Sequence, residues 1–155
     1  MDQSEILNIL DNCELFRGLN TVEIENITKL GQVEMHEAGE KILNQGEFQD
    51  KLYIIAEGHV FLERSVDLGV RKGNVVIGLL GKGRALGSWS TLLGEAHPLM
   101  SSAICKKHTE LVVIRGPALR EMMLSNFQLG FKVLERLCSM LQDRIQGIYG
   151  AMENI

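Results

Sequence analysis

The segment from Ala38 to Val60, AGEKILNQGEFQDKLYIIAEGHV, is the most specific indication of the fold in this chain. It contains two short β-type runs, KILNQG and KLYIIAEG, and each of them ends at a glycine. Gly39, Gly46 and Gly58 stand where tight turns need a residue that accepts a positive φ or a bulge. The segment therefore predicts short strands that are joined by tight turns.

The same pattern continues on both sides of this segment, from Val33 to Arg115. The further runs are HVFLERSV, NVVIGLLG, SSAICK and ELVVIRG. Short strands that recur at intervals of about 8 to 12 residues and are separated by glycine are typical of a small antiparallel barrel or sandwich. We predict that residues 33–115 form this β domain.

Helical patterns flank the β-type runs. Apolar residues recur at helical spacing in the first ten residues, and Asn20 can cap a second short helix with Glu23 at its third position. We predict that residues 1–32 form N-terminal helices. After Pro117, which suits the first turn of a helix, residues 117–155 are predicted to be helical to the end.

The C-terminal helix carries apolar residues that alternate four and three positions apart from Phe127 to Met152, as in a coiled coil. Its first half, from Phe127 to Leu137, is expected to lie on the barrel. Its second half extends beyond what one small barrel can cover, so we expect it to contact the same helix of a second copy. The predicted dimer seam consists of Leu134, Cys138, Leu141, Ile145, Ile148 and Met152.

Length and composition exclude several classes of protein. The 155 residues fit one domain, and the net charge of -4 without a dense Lys/Arg patch argues against nucleic acid as a direct partner. No apolar run reaches the roughly 18 residues of a membrane span, and the N-terminus lacks a secretory pattern. The three widely spaced cysteines are typical of reduced thiols in the cytoplasm.

Side chains that could perform catalysis or hold a metal are scattered. His36, His59 and His108 have neither the spacing of metal ligands nor that of an acid/base pair, and no nucleophile stands beside a base. The sequence predicts a protein that is not an enzyme and that has no catalytic residue and no metal ligand.

Three segments together resemble the cyclic-nucleotide-binding domain family, which includes the catabolite activator and the regulatory subunits of protein kinases. They are LFRGLNTVEIENI (Leu15 to Ile27), the segment from Ala38 to Val60, and GSWSTLLGE (Gly87 to Glu95). The resemblance implies an eight-stranded antiparallel β-roll of the jelly-roll type, with flanking helices and a long C-terminal amphipathic helix. It also implies a phosphate-binding cassette, a short helix whose backbone N–H groups face the cyclic phosphate, over residues 87–103.

The cassette departs from the family pattern at its two charged positions. The family has a glutamate for the ribose after the glycine and an arginine for the phosphate before the Ser/Thr-Ala pair, whereas this chain has Ser88 and Ser101. Replacing two charge-assisted contacts by neutral ones weakens the binding of cyclic AMP or cyclic GMP by roughly 1–4 kcal/mol. Arg84 or His97 could supply the missing charge. The candidate ligand-binding residues are Gly87, Ser88, Trp89, Ser90, Ser101, Ser102 and Ala103.

Alternatives remain open at these positions. The serines could cap a short helix instead of binding a ligand, Trp89 could be a core residue, and His97 could be a haem ligand in a gas sensor. The function is therefore either a ligand-sensing module or an interaction module that has lost its ligand and keeps its dimer. Regulators of the family follow the long helix with a DNA-reading helix-turn-helix, for which a chain ending at Ile155 has no room. We expect a separate protein to provide the output.

Overall fold

The structure is a computed structural model, and it describes residues 1–87, 92–95 and 98–153. Two short helices come first, followed by the strands and then by two further helices. The helices are α1 (Gln3–Asp11), α2 (Thr21–Thr28), α3 (Gly116–Ser125) and α4 (Phe127–Glu153). The strands are β1 (Gly31–His36), β2 (Lys41–Leu43), β3 (Lys51–Glu57), β4 (Val60–Asp67), β5 (Lys72–Leu80), β6 (Ala85–Leu86), β7 (Ser102–Cys105) and β8 (Thr109–Arg115).

Within the described ranges, eight strands form two four-stranded antiparallel sheets. The first sheet has the order β1-β8-β3-β6, and the second has the order β2-β7-β4-β5. This arrangement confirms the predicted eight-stranded β-roll and the long C-terminal helix. Gly39, Gly46 and Gly58 have φ values of 87°, 85° and 100°, so their predicted role in tight turns is confirmed as well.

The central strands of the first sheet, β3 and β8, are buried on both of their faces. In β3, Tyr53 and Ile55 point into the roll, whereas Leu52 and Ile54 belong to a second core under the helices. This alternation follows from the two-residue period of a strand. The roll interior also contains Leu43, Val60, Leu80, Leu86, Ala103, Leu111 and Val113. The first sheet therefore separates two hydrophobic cores.

Helix α2 begins at the capping residue that the sequence predicts. The Asn20 side chain accepts a hydrogen bond from the backbone N–H of Glu23 at 2.9 Å, and the Glu23 carboxylate accepts one from the N–H of Asn20 at 2.8 Å.

Strand β1 begins at Gly31, two residues before the predicted limit of the β domain at residue 33. The strand is longer because Gly31 and Gln32 already pair with Ile114 and Val113 of β8.

The long helix α4 has two apolar faces rather than one. Its body-facing row packs into the core under the helices and consists of Leu129, Val133, Leu137 and Met140. The predicted alternation belongs mainly to the opposite face, since Phe127 is 78% exposed and Phe131 is 68% exposed. The first half of α4 packs against the rest of the domain, as expected. It does so through Leu129, Val133 and Leu137 and not through Phe127 and Phe131. In each row the apolar residues recur three or four positions apart, so apolar spacing alone does not tell which row faces the core.

The turn at Gly58 shows why a glycine is required between β3 and β4. Its φ is 100°, and a Cβ at this position would lie 2.5 Å from Oγ1 and 2.8 Å from Cα of Thr109. Both the backbone conformation and the close approach of β8 exclude a side chain. Gly39 has a similar φ of 87°, but a Cβ added there would meet no heavy atom within 4 Å.

We expect Gly58→Ala to lower the free energy of unfolding by about 2–4 kcal/mol, because it adds a steric clash to the cost of a left-handed backbone. Gly39→Ala is the matched control, and its left-handed backbone alone should cost about 1 kcal/mol. Urea unfolding of both variants measures the difference. Equal losses in the two variants would contradict the role of the Thr109 contact.

Candidate functional site

The predicted cassette lies between β6 and β7, and it starts at Gly87. Gly87 has a φ of 72°, and a Cβ there would lie 2.6 Å from the carbonyl oxygen of Lys51 in β3. Because Gly87 has no side chain, the backbone after β6 can lie in close contact with β3 of the first sheet. The predicted site residues Ser88, Trp89, Ser90 and His97 lie outside the described residues.

The middle of the cassette rests on the helical layer. Residues 92 and 93 are helical, and Leu92 is fully buried in the core under the helices. Arg120 of α3 donates a hydrogen bond from Nη1 to the carbonyl oxygen of Leu92 at 2.5 Å. Gly94 makes room for this contact, because a Cβ at residue 94 would lie 2.6 Å from Nε of Arg120. Helix α3 therefore holds the cassette by both an apolar and a charged contact.

The end of the cassette is attached to the second sheet. Ser102 begins β7, and its Oγ accepts a hydrogen bond from the backbone N–H of Gln45 at 3.0 Å. Ala103 is fully buried and pairs with Leu43 of β2 and Leu62 of β4. Ser101 is half-buried just before this strand. The structure thus places Ser101, Ser102 and Ala103 at the junction of three strands.

Arg64 of β4 reaches the same end of the cassette. Its Nη1 donates a hydrogen bond to the carbonyl oxygen of Met100 at 2.8 Å, one residue before Ser101. Neither Arg64 nor Arg120 could be predicted from the sequence, because their contacts join residues that are 36 and 28 positions apart. The only local signal for Arg64 is a basic residue in the middle of the HVFLERSV run.

Two cations near the roll have contacts away from the cassette. Nε of Arg84 lies 2.9 Å from Oε2 of Glu14, on the helical side of the sheet. The Nζ atom of Lys106 lies 5.4 Å from the centre of the Phe61 ring. The expectation that Arg84 or His97 replaces the cassette charge stays a prediction.

The interior of the roll next to the cassette is apolar. Leu86 enters it immediately before Gly87, and Leu62 and Leu80 line it from the second sheet. Tyr53 also lies there, and burial, followed by the nearby Glu34 and Asp50 carboxylates, raises its pKa to about 12. The phenol is therefore neutral at physiological pH and adds no charge to the interior.

The described part of the chain contains no sign of a metal centre or a membrane span. No group of three or more His, Cys, Asp or Glu residues among the described ones could hold a metal ion. No helix in the same ranges is both long and apolar enough to cross a membrane.

The three thiols differ in their surroundings. Burial raises the pKa of Cys13 to about 11 and also raises the pKa of Cys105, whereas Cys138 is exposed on α4.

A comparison of the sequence with protein-family models agrees with the β-roll and its flanking helices. The model of the cyclic nucleotide-binding domain matches residues 33–126, which is more than half of the chain. The chain belongs to the cyclic nucleotide-binding domain family. The match covers all eight strands from residue 33 onward, the cassette and α3. Among curated proteins, no sequence matches this chain.

Solved structures with similar folds include three of this family. A cyclic nucleotide-binding domain from Methylobacillus flagellatus has a TM-score of 0.82 and 24% identity, with 98% of this chain and 83% of that chain covered. The catabolite activator protein of Thermus thermophilus has a TM-score of 0.68 and 27% identity, with 90% and 62% covered. The regulatory domain of protein kinase A from Toxoplasma gondii, solved with cyclic AMP, has a TM-score of 0.72 and 18% identity, with 88% and 50% covered. The chain thus spans less than two thirds of the last two proteins.

We expect Arg120→Met to loosen the cassette, because the variant leaves the buried Leu92 carbonyl without its charged donor. The free energy of unfolding should fall by about 1–3 kcal/mol, and amide hydrogen exchange of residues 92–95 should become faster. Arg71→Ala, in the exposed β4–β5 turn, is the control and should change neither quantity. Unchanged exchange at residues 92–95 in Arg120→Met would show that α3 does not hold the cassette.

Proposed function

We propose that this chain is a non-enzymatic regulatory module that senses a small anionic effector, with cyclic AMP or cyclic GMP bound more weakly than a complete cassette would bind them. Membership of the cyclic nucleotide-binding domain family is the observation that carries this proposal. The neutral residues Ser88 and Ser101 at the two charged positions of the family pattern are the reason for the weaker affinity.

Two considerations support a remaining affinity for anions. Backbone N–H groups at the start of a short helix favour a phosphate without any charged side chain. The guanidinium of Arg64 donates a hydrogen bond to the carbonyl of Met100, which is next to Ser101, and this hydrogen bond is exposed to solvent. A rotation of the Arg64 side chain would bring a cation toward the position where the family has its arginine. Arg64 is therefore our preferred substitute for the missing charge.

Calorimetry with cyclic AMP and cyclic GMP tests the proposal. Wild type should bind weakly, and Ser88→Glu combined with Ser101→Arg should strengthen binding by roughly 1–4 kcal/mol, because two charge-assisted contacts are restored. Arg64→Met should weaken the binding of wild type. A matched control, Ser4→Glu combined with Ser125→Arg, introduces the same charges at exposed positions outside the cassette and should leave the affinity unchanged.

Two results would contradict this proposal. Submicromolar binding by wild type would show that other residues already supply the full charge, and that Ser88 and Ser101 do not weaken the affinity. No binding by a well-folded restored variant would mean that the pocket is closed. The chain would then be an interaction module that uses the roll and α4 without a ligand.

We further propose that the module works as a homodimer through the outer face of α4. This face combines Phe127 and Phe131 with three residues of the predicted seam: Leu134, which is 37% exposed, Cys138, and Ile145, which is 50% exposed. Leu141 is partly buried against the body of its own chain, and the side chains of Ile148 and Met152 lie outside the described ones. A second copy of α4 is the occupant that fits this face, because apolar residues at coiled-coil spacing pair with the same pattern. An effector could act on the output by changing this contact.

Light scattering at tens of micromolar protein tests the dimer. Phe131→Asp and Ile145→Asp should each give monomers, because each puts a charge into an apolar interface. Both residues are at least half exposed, so the fold itself should tolerate the changes better than it would tolerate one at Leu141. Gln146→Asp, on the same helix but beside the apolar face, is the control and should stay dimeric. A monomeric wild type would show that the outer face of α4 does not pair.

Cys138 provides an independent test of the orientation of the two helices. In a parallel pair, the same seam position of both chains meets at the dimer axis, within reach of a disulfide. Mild oxidation of wild type should therefore give a covalent dimer, and Cys138→Ser should abolish it. Cys13 and Cys105 are buried and should not contribute. A light-scattering dimer that never cross-links would indicate an antiparallel pair.

A further inference from the structure

The outer edge of β6 is held by side chains instead of by another strand. β6 consists of Ala85 and Leu86 and lies at the edge of the first sheet, where, among the described residues, it pairs only with β3. Toward β3, the carbonyl of Arg84 accepts a hydrogen bond from the N–H of Ile55 at 3.0 Å. The N–H and C=O of Ala85 point to the other side, and buried backbone groups need partners there.

Glu14 and Arg144 provide both of these partners. The carboxylate Oε1 of Glu14 accepts a hydrogen bond from the N–H of Ala85 at 2.8 Å, and Nη2 of Arg144 donates one to the carbonyl of Ala85 at 3.0 Å. The same Nη2 donates to Oε1 of Glu14 at 3.1 Å, so the three groups form a closed ring of contacts. The Glu14 side chain is only 17% exposed. Together the two side chains replace a neighbouring strand.

This ring joins distant parts of the chain at the entrance of the cassette. Ala85 lies two residues before Gly87, where the cassette begins, and Arg144 lies in the second half of α4. The backbone N–H of Glu14 also donates to the carbonyl of Gly83 at 2.9 Å, which fixes the turn before β6. A displacement of β6 therefore changes the contacts of Arg144 directly.

We propose that Glu14 and Arg144 are positioning residues that couple the cassette to the C-terminal half of α4, so that occupancy of the cassette is transmitted to the proposed dimer face. This inference rests on the proposed sensing function, and it names the route by which the signal leaves the site. The guanidinium is suited to this task because it can contact a carboxylate and a backbone carbonyl at the same time.

Arg136 offers a matched control for Arg144. It also lies on α4 and also contacts Glu14, but its Nε donates to the backbone carbonyl of Glu14 at 3.1 Å. None of its described contacts involves Ala85. Arg144→Met and Arg136→Met therefore remove the same charge from the same helix, and only Arg144→Met separates α4 from β6. Arg144→Lys keeps the charge and serves as the conservative variant.

The experiment measures cyclic AMP affinity by calorimetry and, separately, the change that saturating cyclic AMP causes in amide hydrogen exchange of residues 139–150. In Arg144→Met, the affinity should stay within about threefold of wild type, while the exchange response should shrink at least about fivefold. Arg136→Met should keep the response, and Arg144→Lys should restore part of it. A full response in Arg144→Met, or an equal loss in Arg136→Met, would overturn the proposal.

Failure of the sensing function can be told apart from failure of the coupling. If wild type binds no cyclic nucleotide, the proposed function fails, and Gly87→Ala then serves as the perturbation of the cassette in the ligand-free protein. This change pushes the chain away from the Lys51 carbonyl. It should alter exchange of residues 139–150 in an otherwise wild-type chain but not together with Arg144→Met. The same alteration in both backgrounds would overturn the coupling.

Discussion

The pairing of β3 with β8 is the constraint on which the rest of the structure depends. The register places Ile54 opposite Val112 and Tyr53 opposite Val113, so each pair points to a different core. A shift of one residue would exchange the faces and place every side chain of the strand in the wrong core. The helices, the roll interior and the cassette are all positioned relative to these two strands, because Gly87 approaches the backbone of β3 directly.

The strands and turns could be predicted from the sequence because their signals are local. The glycines that end the runs KILNQG and KLYIIAEG and the cap formed by Asn20 and Glu23 act within a few residues, and the structure has them where they were expected. The apolar spacing of α4 was harder to interpret. The spacing indicates a helix with a coiled-coil pattern, but α4 has two rows of apolar residues on opposite faces. Only the packing of Leu129 and Val133 shows which of the two rows faces the core.

The supports of the cassette could not be predicted, since they join residues that are far apart in the chain. Arg64 and Arg120 contact cassette residues that are 36 and 28 positions away in the sequence. Glu14 contacts Ala85 of β6, which is 71 positions away. A single arginine in a strand or a glutamate in a turn has no local pattern that distinguishes it from an ordinary surface residue. The family pattern indicates where the candidate site lies, whereas the contacts of that segment depend on how the two sheets and the helices meet.

The two halves of α4 are held by different kinds of contact. The row from Leu129 to Met140 packs the first half against the core, whereas in the second half Arg144 contacts Glu14 and the carbonyl of Ala85. From Met140 to Glu153 the helix extends about 20 Å. A helical segment of this length acts as a lever arm, and a tilt of about 10° at its base displaces its end by about 3 Å. Small rearrangements near residue 140 are thereby enlarged at the far end of the helix.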